Sequence, residues 1–369
     1  MKFSCEKAVL SDALATVLKA VPSKSPISSL EGVLFNAEGN SLKLTGFDLK
    51  KAIYTVIDAD VAEPGACCLN ARFFSEMIRR LGDGIVTITS DDNNSVEVKC
   101  GMSKYDFISL EVNEYPEIPT FSSDRYIEIP QNILSNMIEK TIFAVSKEEV
   151  RPIYTGSLFE VEGDTLNVVS IDGYRLARRT EKIENTHLED CSFVVPGNAL
   201  SDIQKICSDC EDNAVISIGE KHISFNIGTT VLISRRLEGE FMNHKKSVPD
   251  TFRKTITVER SEFISSIDRI ALMLSEKNGN PVRLTFNDGT IDCLCATPIG
   301  KAQDLCTCVG DGEGMEIGFN DRYLIEALKA ADGERVQICL NTSSSPCVIK
   351  ASDGSENYTY MILPVRLRA

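Results

Sequence analysis

Short alternating runs with a common ending recur at nearly equal intervals along the chain, and this recurrence constrains the fold more than any other feature. Ser41-Leu42-Lys43-Leu44-Thr45-Gly46-Phe47-Asp48 resembles Thr165-Leu166-Asn167-Val168-Val169-Ser170-Ile171-Asp172, and more loosely Thr290-Ile291-Asp292-Cys293-Leu294-Cys295-Ala296-Thr297. Thr165 lies 124 residues after Ser41, and Thr290 lies 125 after Thr165. A third of the 369 residues is 123, so three copies of one unit fill the sequence. Each run follows another strand-like segment, at 32–35, 157–160 and 282–286, and period-2 alternation punctuated by Gly, Asn or Asp is a hairpin signature.

Helical spacing repeats on the same interval. Amphipathic segments at 71–81, 198–207 and 321–331 follow the hairpins, and a second set at 11–20, 131–143 and 261–274 opens the units. Ser11-Asp12 and Asn320-Asp321 are the expected N-caps. The predicted fold class is α+β, with three similar domains at 1–122, 123–249 and 250–369, each placing antiparallel strands on one side and two helices on the other. Such an array leaves a sheet edge open at each end. Open edges invite pairing with a second copy, and head-to-tail pairing that closes makes a ring.

The formal net charge of −15 argues against a protein that coats nucleic acid or binds an anionic membrane, but charge is distributed unevenly. The six helical segments carry nine basic and eight acidic side chains, or +1, leaving −16 for the rest. Two surfaces with different electrostatic roles fit these counts, as does ordinary mixed helix charge. No stretch reaches the ~18 apolar residues of a membrane span, and the opening MKFSCEKAVL is charged where a secretory signal is apolar, so a cytoplasmic location is expected. Thirteen cysteines spread over the whole chain suggest reduced, buried thiols.

Cys207-x-x-Cys210 stands at a helix end among acids with no second such pair. Cys293, Cys295, Cys306 and Cys308 have a spacing open to zinc, but alternation puts each pair on one face of a strand, and Leu294 and Leu305 beside them favour burial. His187, His222 and His244 have no ligand spacing. Asp91-Asp92 and Asp209 with Glu211 read as solvated loops. No phosphate loop or nucleophile elbow is present in the sequence, so no catalytic residue, metal site or cofactor is expected. Two stretches stand out instead. Asp172-Gly173-Tyr174-Arg175 is a tight turn presenting an aromatic and an arginine, and 360–367 is apolar almost to its end, with Pro364 expected to stop ladder pairing and leave a groove lining.

At these residues the sequence resembles the bacterial sliding-clamp family, the beta subunits of replicative DNA polymerase III. The likeness spans the chain from Met1-Lys2-Phe3 onward and is most specific at Asp172-Gly173-Tyr174-Arg175-Leu176, at Gly318-Phe319-Asn320 with Tyr323, and at Leu363-Pro364-Val365-Arg366-Leu367. It implies a homodimeric head-to-tail ring with helices lining a central hole and sheets outside. The ring encircles double-stranded DNA without reading sequence, tethers the replicative polymerase, and has no catalytic site of its own. The closed topology needs only a mildly positive inner face, because tight phosphate binding would resist sliding.

The resemblance also implies residue roles. DNA-facing positions are Lys24, Arg72, Arg79 and Lys205, while Gly197 and Asn198 stand where some relatives are basic. The partner-peptide cleft, for the polymerase alpha subunit, the clamp loader and other proteins with clamp-binding motifs, takes Tyr154, Ile171, Gly173, Tyr174, Arg175 and Leu176. Met242, Lys246, Asn320, Tyr323, Ser344 and Pro346 follow, with Met361, Leu363, Pro364, Val365 and Arg366 from the terminal run. Arg368 and Ala369 extend past the family's usual end and would border the cleft. At the dimer interface Tyr105 and Phe107 meet Met273 and Leu274 of the other copy, and the 298–304 loop has one acid where some relatives have several. Two readings from other classes stay open on the residues alone: a zinc or redox protein using the four strand cysteines, and a scaffold that binds only proteins.

Overall fold

The computed structural model describes residues 1–119, 123–184, 188–274 and 281–367, so the 120–122 part of the expected first junction, His187, Arg368 and Ala369 lie outside it. Among the described residues seven α-helices occur: α1 (Lys7–Val17), α2 (Ala71–Arg80), α3 (Gln131–Glu139), α4 (Gly197–Ile206), α5 (His244–Ser247), α6 (Arg260–Ala271) and α7 (Asp321–Ala330). All but the one-turn α5 belong to the repeating set. The hairpins recur as predicted, at Gly32–Glu38 with Ser41–Phe47, Gly156–Glu162 with Thr165–Ile171, and Val282–Phe286 with Thr290–Thr297. A left-handed glycine closes each: Gly39, Gly163 and Gly289, with φ of 59°, 55° and 73°, a region L-side chains rarely enter.

The described residues gather into two compact units. The first comprises those within Met1–Ser135 and Ser201–Arg236, with Leu188. It holds a five-stranded sheet and an eight-stranded sheet, all antiparallel. In the larger sheet, Thr230–Arg235, the last strand of the second repeat, pairs with Lys51–Asp58 of the first. Helices α1 and α2 pack together in this unit. Apolar spacing explains their orientation: α2 buries Ala71, Phe74, Met77 and Ile78 and leaves Arg72, Phe73, Arg79 and Arg80 exposed. Phe3, Phe35 and Phe74 form the aromatic centre of its core, with ring centroids at 6.4 and 5.3 Å.

The second unit comprises the described residues of Asn136–Glu184, Glu189–Leu200 and Leu237–Ala369, and contains one twelve-stranded antiparallel sheet. The same pairing rule recurs. Tyr358–Ile362, the last strand of the third repeat, pairs with Arg175–Lys182 of the second, Leu176 opposite Met361. Helices α6 and α7 pack on a core that includes Phe263, Phe286, Phe319, Tyr358 and Tyr360. The compact units therefore cut across the second repeat, because each sheet runs on from one repeat into the next.

Several sequence expectations are corrected. Helix α1 begins at Lys7, so Ser11 and Asp12 lie inside it. Its cap position, Glu6, gives no side-chain hydrogen bond, and burial of Leu10, Ala13, Leu14 and Val17 outweighs the missing cap. Helix α3 stops at Glu139, short of 143, and α6 stops at Ala271, short of 274. The 298–304 stretch is not a loop beyond residue 299, since Gly300–Gly310 is a strand. Leu305 on that strand is exposed, because alternation turns it away from buried Cys306. Pairing also resumes beyond Pro364, where the Val365 amide donates to the Gly318 carbonyl at 2.8 Å.

Candidate partner cleft and charged faces

The 172–175 turn in the second unit is built by one carboxylate. Asp172 Oδ1 accepts the amides of Tyr174 and Arg175 at 2.9 and 3.1 Å, and its Oδ2 accepts Arg175 Nε at 2.9 Å. Gly173, at φ +91°, supplies the left-handed residue this turn requires. The turn points Tyr174 outward, 61% exposed, and folds Arg175 inward. The Arg175 guanidinium donates to Asp172, Glu326 and the Phe143 carbonyl, and lies 4.3 Å from the Tyr323 ring centre and 5.2 Å from that of Phe143. Tyr174 and Tyr323 stack with centroids 6.2 Å apart.

Beside this aromatic wall lies an apolar floor. Ile171, Leu176 and Met361 are buried in one cluster with Ile153, Val169, Cys339 and Val348, and Tyr154 packs on it, its ring edge-on to Phe241 at 5.4 Å. The terminal run is tied to the wall by backbone: Leu363 N–H donates to the Tyr174 carbonyl and Val365 N–H to Gly318, both at 2.8 Å. Leu363 and Val365 remain 36% exposed, and Pro364 lies between them. Asn320 caps α7, its Oδ1 accepting the Tyr323 amide at 3.1 Å, so that oxygen is committed to placing Tyr323. A hollow of about 150 Å³ opens against the stack, lined by Val145–Glu148 residues together with Asp172, Tyr174, Arg175, Arg322 and Tyr323.

The remaining predicted cleft residues lie near chain segments of this wall and floor without a described contact to it. Met242 is exposed just before Asn243 and Lys246 is exposed within α5, Ser344 and Pro346 occupy the turn between Arg335–Leu340 and Cys347–Ala351, and Arg366 is exposed beyond Val365. Sequence reasoning missed Phe241, Phe143 and Glu326. Phe241 had a signal in its adjacency to Met242; the other two had none locally. Burial works to raise the Glu326 pKa, but hydrogen bonds from Arg175 and Arg322 outweigh it and hold the carboxyl below its ordinary value.

The four DNA-facing candidates all lie in the first unit and are exposed. Lys24 is in the segment after α1, Arg72 and Arg79 are on α2, and Lys205 is in the last turn of α4. Arg79 pairs with Glu76 at 2.8 Å and Arg80 with the same carboxylate at 3.4 Å. Among the interface candidates, Tyr105 is exposed on the edge strand Ser103–Ile108, whereas Phe107 turns edge-on to Phe73 at 5.3 Å. Met273 and Leu274 pack largely against the core of their own unit, and Leu272, 84% exposed, faces outward.

The thirteen cysteines are free thiols. Cys293, Cys295, Cys306 and Cys308 are buried in the second core, and the Cys293 and Cys306 thiols are pushed up to about 12, Cys293 by burial and then by Cys306, and Cys306 by burial and then by Glu262 and Cys308. Cys207 is likewise pushed up to about 12, by burial first and then by Cys210. His222 opens a strand, and His244 is buried in α5 with Nε2 3.2 Å from Glu160.

Comparison with known proteins covers the whole chain. Models of the N-terminal, central and C-terminal domains of the DNA polymerase III beta subunit match residues 1–119, 128–243 and 245–366. The beta sliding clamp of Bacillus subtilis is 30% identical over 99% of this chain and 100% of its own. The crystal structure of the DNA polymerase sliding clamp from Bacillus subtilis superposes with a TM-score of 0.96 over 100% of both chains. A putative DNA polymerase III beta subunit from Eubacterium rectale, 32% identical, gives 0.94 over 99% of each.

Proposed function

This chain belongs to the DNA polymerase III beta subunit family, and from that premise we propose that two copies join head to tail into a ring around duplex DNA. A sliding clamp serves replication as a processivity factor and not as a catalytic polymerase subunit. Its gain comes from keeping polymerase at high effective concentration on the template. Helices would line the hole, presenting Lys24, Arg72, Arg79 and Lys205 to phosphates, and the acidic remainder would discourage binding elsewhere. The three domains are assigned to 1–122, 123–249 and 250–369, the location to the cytoplasm. No described helix is long and apolar enough to cross a membrane.

One observation carries the ring. The last strand of repeats two and three pairs with the strand after the hairpin of the preceding repeat. Continuing that rule leaves Ser103–Ile108, paired on one side only, to meet the 300–307 part of Gly300–Gly310, also paired on one side only. Both edges show apolar side chains: Tyr105 and Ile108 on one, Leu305 on the other, with Ile299 and Leu272 beside the second. Asp304, the one acid of 298–304, pairs with Arg269 of its own chain, so the dimer should depend only weakly on salt. The cleft formed by Tyr154, Ile171, Gly173, Tyr174, Arg175 and Leu176 with the 361–366 run and α7 is assigned to short apolar peptides of polymerase, clamp loader and similar partners. Sedimentation should give about twice 40.6 kDa with little change from low to high salt, and Ile108→Asp should give monomers. The protein should stay on nicked circular DNA and leave on linearisation. A wild-type monomer at micromolar concentration, or equal retention on linear DNA, would refute the reading.

A further inference from the structure

The turn after each of the first two hairpins places a base three residues beyond an aspartate, and each base reaches an acid 151 residues further on. In the first unit Asp48 Oδ1 accepts the amides of Lys50 and Lys51 at 2.9 and 2.7 Å, and Lys51 pairs with Asp202 of α4. In the second Asp172 builds the same turn, and Arg175 pairs with Glu326 of α7. Both acids are the sixth residue of their helix. The surroundings differ. Three residues before the acid stands Ala199 in α4 but Tyr323 in α7. Only in the second unit does the base present a flat cation to that ring, and only there does a turn aromatic stack on it.

We infer that Glu326 is a positioning residue for the partner cleft, holding Arg175 and Arg322 so that Tyr323 and Tyr174 form a fixed wall. Glu326 itself lines neither the apolar floor nor the hollow. One carboxylate oxygen accepts Arg175 Nη1, the other Arg322 Nε at 2.9 Å, and both arginines line that hollow. A planar guanidinium with a donor on each edge fixes a ring face in a way an ammonium does not. With Glu326 neutral, Arg175 keeps Asp172 and the Phe143 carbonyl but loses the partner that sets its rotation over Tyr323. The inference rests on reading this cleft as the partner site.

The test uses griselimycin, found bound to the Pseudomonas aeruginosa clamp, titrated calorimetrically into the full-length chain. Glu326→Gln should bind about tenfold more weakly and Glu326→Asp should recover affinity to within about twofold of wild type. Arg175→Lys should fold, because Lys51 closes the same turn in the first unit, yet bind as weakly as Glu326→Gln. The chain has nine Tyr and no Trp, so near-UV circular dichroism reports tyrosine packing, and its band should change in Glu326→Gln but not in Glu326→Asp. If Tyr323→Ala abolishes binding while Glu326→Gln binds like wild type, the cleft stands and the inference falls. Weakening that Glu326→Asp does not rescue, with an unchanged tyrosine band, also overturns it. Unchanged affinity in Tyr323→Ala overturns the cleft assignment and the inference with it.

Discussion

The Lys51–Asp202 closure in the first unit and the Arg175–Glu326 closure in the second share a backbone design and have opposite exposure of consequence. Lys51 and Asp202 side chains are 9% and 11% exposed, sealed beneath a turn whose tip is Leu49 and Lys50. Arg175 is as deeply placed, at 6%, but Glu326 is 27% exposed, and the tip residue Tyr174 joins Tyr323 at the surface. A closure that only fastens one repeat to the next has, in the second unit, acquired aromatic neighbours and become the back of a binding surface. The third turn, Thr297-Pro298-Ile299-Gly300, has neither acid nor base, and the Met273 methyl fills the space that a side chain at Gly300 would need. The fastening therefore occurs twice along the chain and is absent where a second copy is proposed to join.

The largest expected effect breaks the first closure. Lys51→Met leaves the Asp202 carboxylate buried without its base and should cost about 3–5 kcal/mol in urea unfolding, most of it restored by adding Asp202→Leu. Glu326→Gln should cost less, about 1–2 kcal/mol, since Arg175 retains two acceptors. That gap should follow pH. The folded-state pKa of Glu326 is lowered, so its contribution is complete above the ordinary Glu value of about 4.3 and fades as pH falls below it. Wild type and Glu326→Gln should therefore converge in stability on acidification, and a constant gap would contradict the assignment. The smallest effects compare the turn tips. Leu49 sits at φ +70° and Gly173 at +91°. Gly173→Ala should lower stability by about 1 kcal/mol, and Leu49→Gly should raise it by up to about 1 kcal/mol, read as melting-temperature shifts of opposite sign.

Much of this was legible because it is local. The period of about 124, the hairpins, the Asn320 cap and the Asp172 turn each depend on residues a few positions apart, where propensity and hydrogen-bond geometry decide. The start of α1, the strand character of 300–304 and the return of Val365 to Gly318 depend on packing against distant strands, which sequence periodicity does not report. Just after α6, Met273 and Leu274, the expected interface side chains, are partly buried against their own core while Leu272 is exposed, a division that sequence spacing alone does not report. Glu326 was invisible in isolation. The equal 151-residue spacing of its pair and of Lys51–Asp202 is a signal that a search for repeated charge pairs would have found.

The buried thiols have a practical consequence. Ten of the thirteen are sealed in strands or beneath helices, leaving Cys191, Cys207 and Cys210 partly accessible. A thiol-specific reagent at neutral pH should label Cys191 and Cys210 first, Cys207 more slowly because burial pushes its thiol up to about 12, and the others only as their surroundings breathe, so each slow cysteine is a built-in clock for one patch of the molecule. Cys67 and Cys68 time the sheet of the first unit, Cys293 and Cys306 the ground beneath the open edge strand of the second, and Cys339 the floor of the cleft. Mass spectrometry of labelled peptides with and without DNA or partner would then give, from the unmodified sequence, a map of which patches a ligand quiets.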